Sequence, residues 1–242
     1  MELTNNSVIL FFKESLTELG IALSDYQLEQ FLTYYELLIE KNKVMNLTAI
    51  TELKEVISKH FVDSLALAKI YTLTNEKLID IGTGAGFPGI PLKIIYPDIN
   101  LTLFDSLKKR LNFLDEVIEK LNLSKVQTLH GRAEDFGRDI KYREQYDMAV
   151  SRAVAKLPVL LELCVPFVKK DGYFISYKSG NIEEEIDLAH NALNILKSKI
   201  IKRDTFILPG TDMQRSLLLV KKVESTPKGY PRIPAKIMKN PL

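Results

Sequence analysis

The feature that most constrains this chain is the run Leu78-Ile79-Asp80-Ile81-Gly82-Thr83-Gly84-Ala85-Gly86-Phe87-Pro88-Gly89. An apolar stretch ends in four glycines, and a second apolar segment follows. The pattern predicts a strand, a tight turn and then a helix. Glycines let the backbone bend sharply and let a ligand approach where a Cβ would clash. The helix start adds free N–H groups and the positive end of a dipole, which suit a carboxylate or a phosphate. The turn thus predicts a ligand site without naming the ligand.

From Lys77 onward short apolar runs alternate with helical stretches, the signature of βαβ units. Strands are predicted at 77–81, 100–104, 126–129, 146–150, 172–177, 200–207 and 215–220, with 169–172 a turn into the fifth. The expected fold class is α/β: a twisted, mostly parallel seven-stranded sheet with helices on both sides. Residues 1–70 form an N-terminal helical extension, 71–224 the ligand-binding domain, and 225–242 a basic proline-rich tail. In the extension, Val8, Ile9, Phe12, Leu16 and Leu19 share a face and Gly20 stops the first helix. Ser24 and Gln27 form a capping box, Leu23 can staple to Leu28, and Phe31, Leu32, Tyr35, Leu38 and Ile39 continue the stripe. A third helix is expected over 51–70. The tail holds Pro227, Pro231, Pro234 and Pro241, a density that argues for extended chain rather than helix.

A length of 242 residues fits one α/β domain with a modest extension. The formal net charge of +2 carries no argument for nucleic-acid binding by the whole molecule, so that case rests on local basic patches. With one cysteine, Cys164, there is no internal disulfide and no cysteine cluster for zinc. No metal is expected. No apolar run approaches the roughly 20 residues of a membrane helix, and the start lacks the pattern of a signal peptide. A cytoplasmic monomer is expected, away from membranes.

Two ligand readings of the turn compete. Gly84-Ala85-Gly86-Phe87-Pro88-Gly89 satisfies GxGxxG, and Asp105 lies 19 residues beyond Gly86, near the spacing of a ribose-binding acid; a dinucleotide-dependent oxidoreductase fits both. Asp80, two residues before the first glycine, instead makes the D-x-G-x-G-x-G form that resembles motif I of class I (Rossmann-like) methyltransferases. Asp105 suits an adenosine ribose in either cofactor. After the third strand, Ala133 and Glu134 in Gly131-Arg132-Ala133-Glu134 can reach an adenine amino group. Arg152, at the end of the fourth strand, can orient a carboxylate, a phosphate or guanine O6. His60 and Asp63 are three apart on a helix and can pair. A non-catalytic RNA-binding or ribosome-assembly protein is the third reading, and an intact turn weighs against it.

Taken together, Asn46-Leu47-Thr48-Ala49-Ile50, His60-Phe61-Val62-Asp63-Ser64, the segment 80–91, Asp105-Ser106-Leu107-Lys108-Lys109-Arg110, Gly131-Arg132-Ala133-Glu134, Ser151-Arg152-Ala153 and Tyr177-Lys178-Ser179-Gly180 resemble one family over nearly the full length. It is the family of bacterial small-subunit ribosomal RNA guanine-N7 methyltransferases, formerly called glucose-inhibited division protein B. The resemblance implies methyl transfer from S-adenosylmethionine to N7 of a guanosine in 16S rRNA, free or within the small ribosomal subunit. It places Gly82, Phe87, Ala133, Glu134 and Arg152 at the cofactor, where Gly84 of the turn and the ribose acid Asp105 join them, and it identifies no catalytic residue. The sequence departs from the family at Tyr177-Lys178-Ser179-Gly180, where Lys-Gly is more usual. N7 of neutral guanine carries a lone pair and no proton, so positioning and electrostatics suffice. Consistently, Asp147-Met148-Ala149-Val150-Ser151-Arg152 lacks the D/N-P-P-Y form of amine-methylating enzymes. Cys164, in an apolar stretch, reads as a buried thiol rather than a nucleophile. Lys108, Lys109, Arg110, Lys178 and the cations of the tail are the candidate phosphate contacts.

Overall fold

The structure, a computed structural model, describes residues 2–242. The N-terminal extension begins with α1 (Glu2–Glu18) and α2 (Asp25–Met45). Ser24 caps α2 with both halves of the capping box, and Leu23 and Leu28 both pack against the core. The buried side of α2 is Gln30, Phe31, Tyr34 and Leu38, rotated from the expected stripe. Leu32, Tyr35 and Ile39 are only half-buried. Tyr34 goes inward because its hydroxyl finds a buried carbonyl to bond, described below.

The expected third helix is helical but not regular. It runs as α3 (Leu53–Val56), a π-helical turn (Ile57–Val62), α4 (Asp63–Leu65) and a 3₁₀ turn (Ala66–Lys69). The wider π turn carries His60 and leads into Asp63, so the irregularity lies where the chain meets the sheet's open end.

The strands are β1 (Lys77–Ile81), β2 (Asn100–Asp105), β3 (Val126–His130), β4 (Tyr146–Arg152), β5 (Val168–Ser179), β6 (Ser198–Ile207) and β7 (Gln214–Lys222). Their order is β3-β2-β1-β4-β5-β7-β6, with β7 antiparallel to both neighbours and the other pairs parallel. The expected mostly parallel seven-stranded sheet is present. The connections are α5 (Gly89–Ile95), α6 (Lys108–Lys120), α7 (Ala133–Phe136), α8 (Leu157–Cys164) and α9 (Glu183–Ile195). The predicted turn at 169–172 lies inside β5, where the register with β4 shifts and Asp171 takes a φ of 65°. That is a bulge, which strands absorb without ending.

Side chains alternate across the strands into two cores. Leu78, Leu101, Met148 and Ile175 face α5, α6 and the extension, where Phe12, Phe31, Tyr34 and Phe61 complete one cluster. Ile79, Phe104, Ala149 and Phe174 face the other way, against Leu160, Leu161 and Leu193 of α8 and α9. The extension thus shares its core with one sheet face.

The tail is not wholly extended: α10 (Pro234–Lys239) closes it. Pro234 sits at the first helical position, where no N–H is required, so proline starts this helix instead of forbidding it. Ile237 is buried, and Arg232 makes a bidentate pair with Glu162, a carboxylate fully buried on α8. Strand order reverses between β1 and β4, so the loops leaving their carboxyl ends diverge and open a crevice.

Candidate functional site

The glycine turn sits at that crevice and is held from below by Asp80. The Asp80 carboxylate is fully buried; its Oδ2 accepts from the Thr83 hydroxyl at 2.7 Å and from the Gly89 amide at 2.9 Å. Burial pushes its pKa up to about 7, and the two hydrogen bonds act in the opposite direction. Oδ1 has no hydrogen-bond partner among the described residues. From above, Tyr34 of α2 donates to the Ala85 carbonyl at 2.5 Å. Gly86, at φ 105°, leaves room for that ring, since a Cβ would stand 2.7 Å from the Tyr34 hydroxyl. The extension therefore clamps the turn.

One cavity of about 370 Å³ opens beside the turn, lined by Gly82, Asp105, Arg110, Gly131, Ala133 and Glu134 among others. It brings together four of the residues expected at a cofactor: Gly82, Asp105, Ala133 and Glu134. Gly84 acts through its backbone, donating its amide to Asp105 Oδ2 at 3.0 Å. Asp105 also accepts from the Leu107 amide at 2.8 Å and from Arg110 at 3.2 Å. A carboxylate offers about four acceptor sites, so one stays open and the longest bond, to Arg110, is the exchangeable one. A nucleoside-sized cavity walled by backbone, a buried acid and a second acid fits S-adenosylmethionine. Gly82, at φ 73°, lies under Val154, and a Cβ there would come within 2.6 Å of a Val154 methyl.

A second cavity, also about 370 Å³, meets the first at Ala153 and is lined by Lys59, His60, Asp63, Arg152, Tyr177 and Arg215 among others. Of the residues expected at a cofactor, Arg152 lines this second cavity, whereas Phe87 lines neither cavity and packs behind Arg152 and His60. Phe87 is buried, its ring stacked on His60 at 4.6 Å with the Arg152 guanidinium 5.2 Å from its centroid. Arg152 donates to Asp63 Oδ2 at 2.8 Å and to the Lys59 carbonyl at 3.2 Å. Arg215 donates to Asp63 Oδ1 at 2.8 Å. The expected His60–Asp63 pair is replaced: both Asp63 oxygens serve arginines, which offer stronger charge-assisted bonds than an imidazole. His60 turns to Thr48, whose hydroxyl lies 2.8 Å from Nε2. Burial, and then the Arg152 charge, lower the His60 pKa to about 4, so the ring is neutral at pH 7.

Other sequence candidates have different placements. Lys178 donates to the Ala155 carbonyl at 2.8 Å and to Glu185 at 2.6 Å, which ties β5 to the start of α8. Lys108 and Lys109 are exposed, whereas Arg110 turns to Asp105. In the tail Arg232 is spent on Glu162, while Lys228, Lys236 and Lys239 are exposed. Cys164 is buried, which pushes its thiol pKa well up, and it is inert. Tyr34 and Arg215 carry no sequence signal of their own: Tyr34 sits beside Tyr35 with nothing to choose between them, and Arg215 is one arginine at the start of a strand. Among the described residues no helix is long and apolar enough to cross a membrane, and no group of acids, histidines or cysteines could hold a metal.

Comparisons with known proteins agree with this architecture. The chain is similar to a solved S-adenosylmethionine-dependent methyltransferase from Aquifex aeolicus, with a TM-score of 0.52, 15% identity, and coverage of 70% of this chain and 93% of that one. It also resembles M. jannaschii TYW2 solved with AdoMet, at TM-score 0.50 and 18% identity over 62% of this chain and 70% of the other. These likenesses speak to the fold. Two relatives called ribosomal RNA small subunit methyltransferase G lie much nearer. That from Lachnoclostridium phytofermentans is 56% identical over 96% of both chains, and that from a Thermoanaerobacter species 51% identical over 98% of this chain and 99% of its own. The family model described as GidB, rRNA small subunit methyltransferase G, matches residues 27–209. The dinucleotide reading of the turn is set aside, and this chain, an S-adenosylmethionine-dependent methyltransferase, belongs to the GidB family.

Proposed function

We propose that this protein methylates N7 of a guanosine in 16S rRNA, with the cofactor in the cavity beside the glycine turn and the base entering the cavity beyond Ala153. Gly82, Gly84, Asp105, Ala133 and Glu134 hold the cofactor in this reading, and Arg152, backed by the buried Phe87 ring, lines the second cavity next to Ala153, where the two cavities meet. S-adenosylmethionine supplies an electrophilic methyl group on a sulfonium. The protein's part is to position, to exclude water and to balance charge.

The observation that carries the reading is the state of the ionisable groups around the second cavity. Asp63 is held by two arginines, Glu185 by Lys178 and the Leu157 amide, and the Tyr177 hydroxyl donates to the Ser64 carbonyl. His60 bonds Thr48 and is neutral near pH 7. Each group that could act as a base is committed elsewhere. A nucleophile with a lone pair and no proton to lose, such as guanine N7, suits such a site; an exocyclic amine, which must shed a proton, does not. Methylated N7 leaves the base cationic, and Asp63 offsets part of the positive charge that Arg152 and Arg215 present to it. Lys108, Lys109, Lys228, Lys236 and Lys239 are the exposed cations available to rRNA phosphates.

The test is incubation of the purified protein and S-adenosylmethionine with 16S rRNA, free and within small subunits, from cells lacking the enzyme, followed by nucleoside mass spectrometry. One added 7-methylguanosine per 16S rRNA is the expected product in at least one arm. Methylation at an exocyclic amine, or at none of the RNA, contradicts the proposal.

A further inference from the structure

The C-terminal tail is fastened to one particular place, the short segment that walls the adenosine end of the first cavity. Three sets of contacts converge there. Arg143, between α7 and β4, donates to four carbonyls: Gly137 at 2.8 Å, Tyr230 at 2.6 Å, Thr226 at 2.6 Å and Pro227 at 3.2 Å. Arg138 donates to the Pro231 carbonyl at 2.7 Å, and the Pro231 ring lies over Gly137, where a Cβ would stand 3.0 Å from it. Arg232 pairs with the buried Glu162 on α8, next to Leu163, which lines the cavity.

Gly137 ends α7, and α7 carries Ala133 and Glu134. The same end of α7 is held from the core side by Phe136, whose ring packs on Phe104 at 5.4 Å and on Tyr142 at 4.8 Å. That ring also fills the space over Gly131, where a Cβ would be 2.2 Å from it. A four-residue helix has too few internal hydrogen bonds to hold its own position, so its placement comes from what packs on it. One side of that packing is Phe136 on the core; the other is the tail, joined through Arg143 and Pro231 to the carbonyl and Cα of Gly137.

We infer that the tail is a brace for cofactor binding, with Arg143 as the positioning residue that locks residues 226–231 onto Gly137 and so sets Ala133 and Glu134 against the first cavity. Arg143 touches neither cavity. Its guanidinium fork reaches chain segments on both sides of the joint, which a lysine, with one compact ammonium, cannot span in the same way. The basic residues drawn into this joint, Arg138, Arg143 and Arg232, therefore serve the cofactor pocket rather than RNA phosphates. The inference rests on placing the cofactor in the Gly82–Glu134 cavity.

The test uses the full chain with Arg143→Ala and Arg143→Lys, leaving Arg232–Glu162 intact so that no buried carboxylate is stripped of its partner. Calorimetric titration of S-adenosylmethionine is run well below each variant's melting temperature, with steady-state methylation alongside. The brace predicts a Kd and a KM for S-adenosylmethionine about tenfold higher in Arg143→Ala, consistent with losing charge-assisted hydrogen bonds one step removed from the ligand. The KM for RNA stays constant, the kcat change is less than the KM change, and Arg143→Lys is intermediate. Hydrogen exchange at amides 131–137 speeds up in Arg143→Ala. A lower melting temperature with an unchanged Kd overturns the inference, since it makes the tail a merely stabilising strap. Glu134→Gln with the tail untouched separates the two failures: if it weakens S-adenosylmethionine binding and Arg143→Ala does not, the brace alone fails, and if neither does, the cavity reading fails and takes the brace with it.

Discussion

The two cavities that meet at Ala153 have similar volumes and opposite construction. The one beside the glycine turn is made mainly from the ends of neighbouring parallel strands: the turn itself, the end of β2 and the loop after β3, closed by Ala153 and Val154 after β4 and by Leu163 of α8. Its one buried acid, Asp105, keeps an open acceptor site. The other is made from pieces far apart, with Asp63, Arg152 and Arg215 arriving from the extension, β4 and β7. Its charges satisfy one another before any ligand arrives. The first is a receptor shaped by backbone; the second is a charge-balanced wall whose geometry depends on the extension docking correctly.

The contrast predicts that removing a charge is more damaging in the second cavity than loosening a contact in the first. Asp63→Ala leaves two nearly buried guanidinium groups facing each other without an anion, and a loss of about 3–5 kcal/mol in unfolding free energy is expected. Urea denaturation measures it, and methylation should fall with it. A loss under about 1 kcal/mol would make the triad an exposed surface cluster in energetic terms, and the contrast would break.

Tyr34→Phe tests the clamp on the turn with little change of shape. It leaves the Ala85 carbonyl without its buried donor, so a stability loss of about 1–3 kcal/mol and a weaker affinity for S-adenosylmethionine are expected, with RNA binding unchanged. An effect on stability alone would separate the turn's shape from the extension.

The smallest expected effect at neutral pH is that of His60, which emerges only in acid. Its folded pKa, about 4, is below the ordinary 6.5, so between those values the unfolded chain binds a proton that the folded chain refuses. His60 therefore costs stability as pH falls from about 6.5 toward 4. Asp80 works in the opposite sense: its folded pKa of about 7 exceeds 3.8, so its contribution weakens as pH rises through that window. His60→Asn should lose less stability than the wild type between pH 7 and pH 4.5, measured by urea midpoints. An equal loss would mean the ring is not held neutral by the second cavity.

What could be read in the sequence follows the same division. The turn, Asp80, Asp105, Ala133 and Glu134 are local patterns at strand ends, where periodicity and glycine spacing carry the information. The capping box on α2 was equally legible, because its two partners are three residues apart. Arg152 was singled out, but not its bonds to Asp63 and Lys59, because contacts across some 90 residues leave no mark on local spacing. Arg215 was invisible for the same reason. The rotation of α2 that buries Tyr34 depends on a carbonyl 51 residues away, and the helix in the tail depends on a proline at its first position, where proline helps.

The central claim, that the turn cavity holds the cofactor, is tested most directly by equilibrium binding of S-adenosylmethionine to Gly82→Val. A valine there must adopt a left-handed backbone and collide with Val154 at the cavity wall. Binding weaker by about a hundredfold or more, in a protein whose circular dichroism matches the wild type, is the expected result. Affinity within about threefold of the wild type would contradict it.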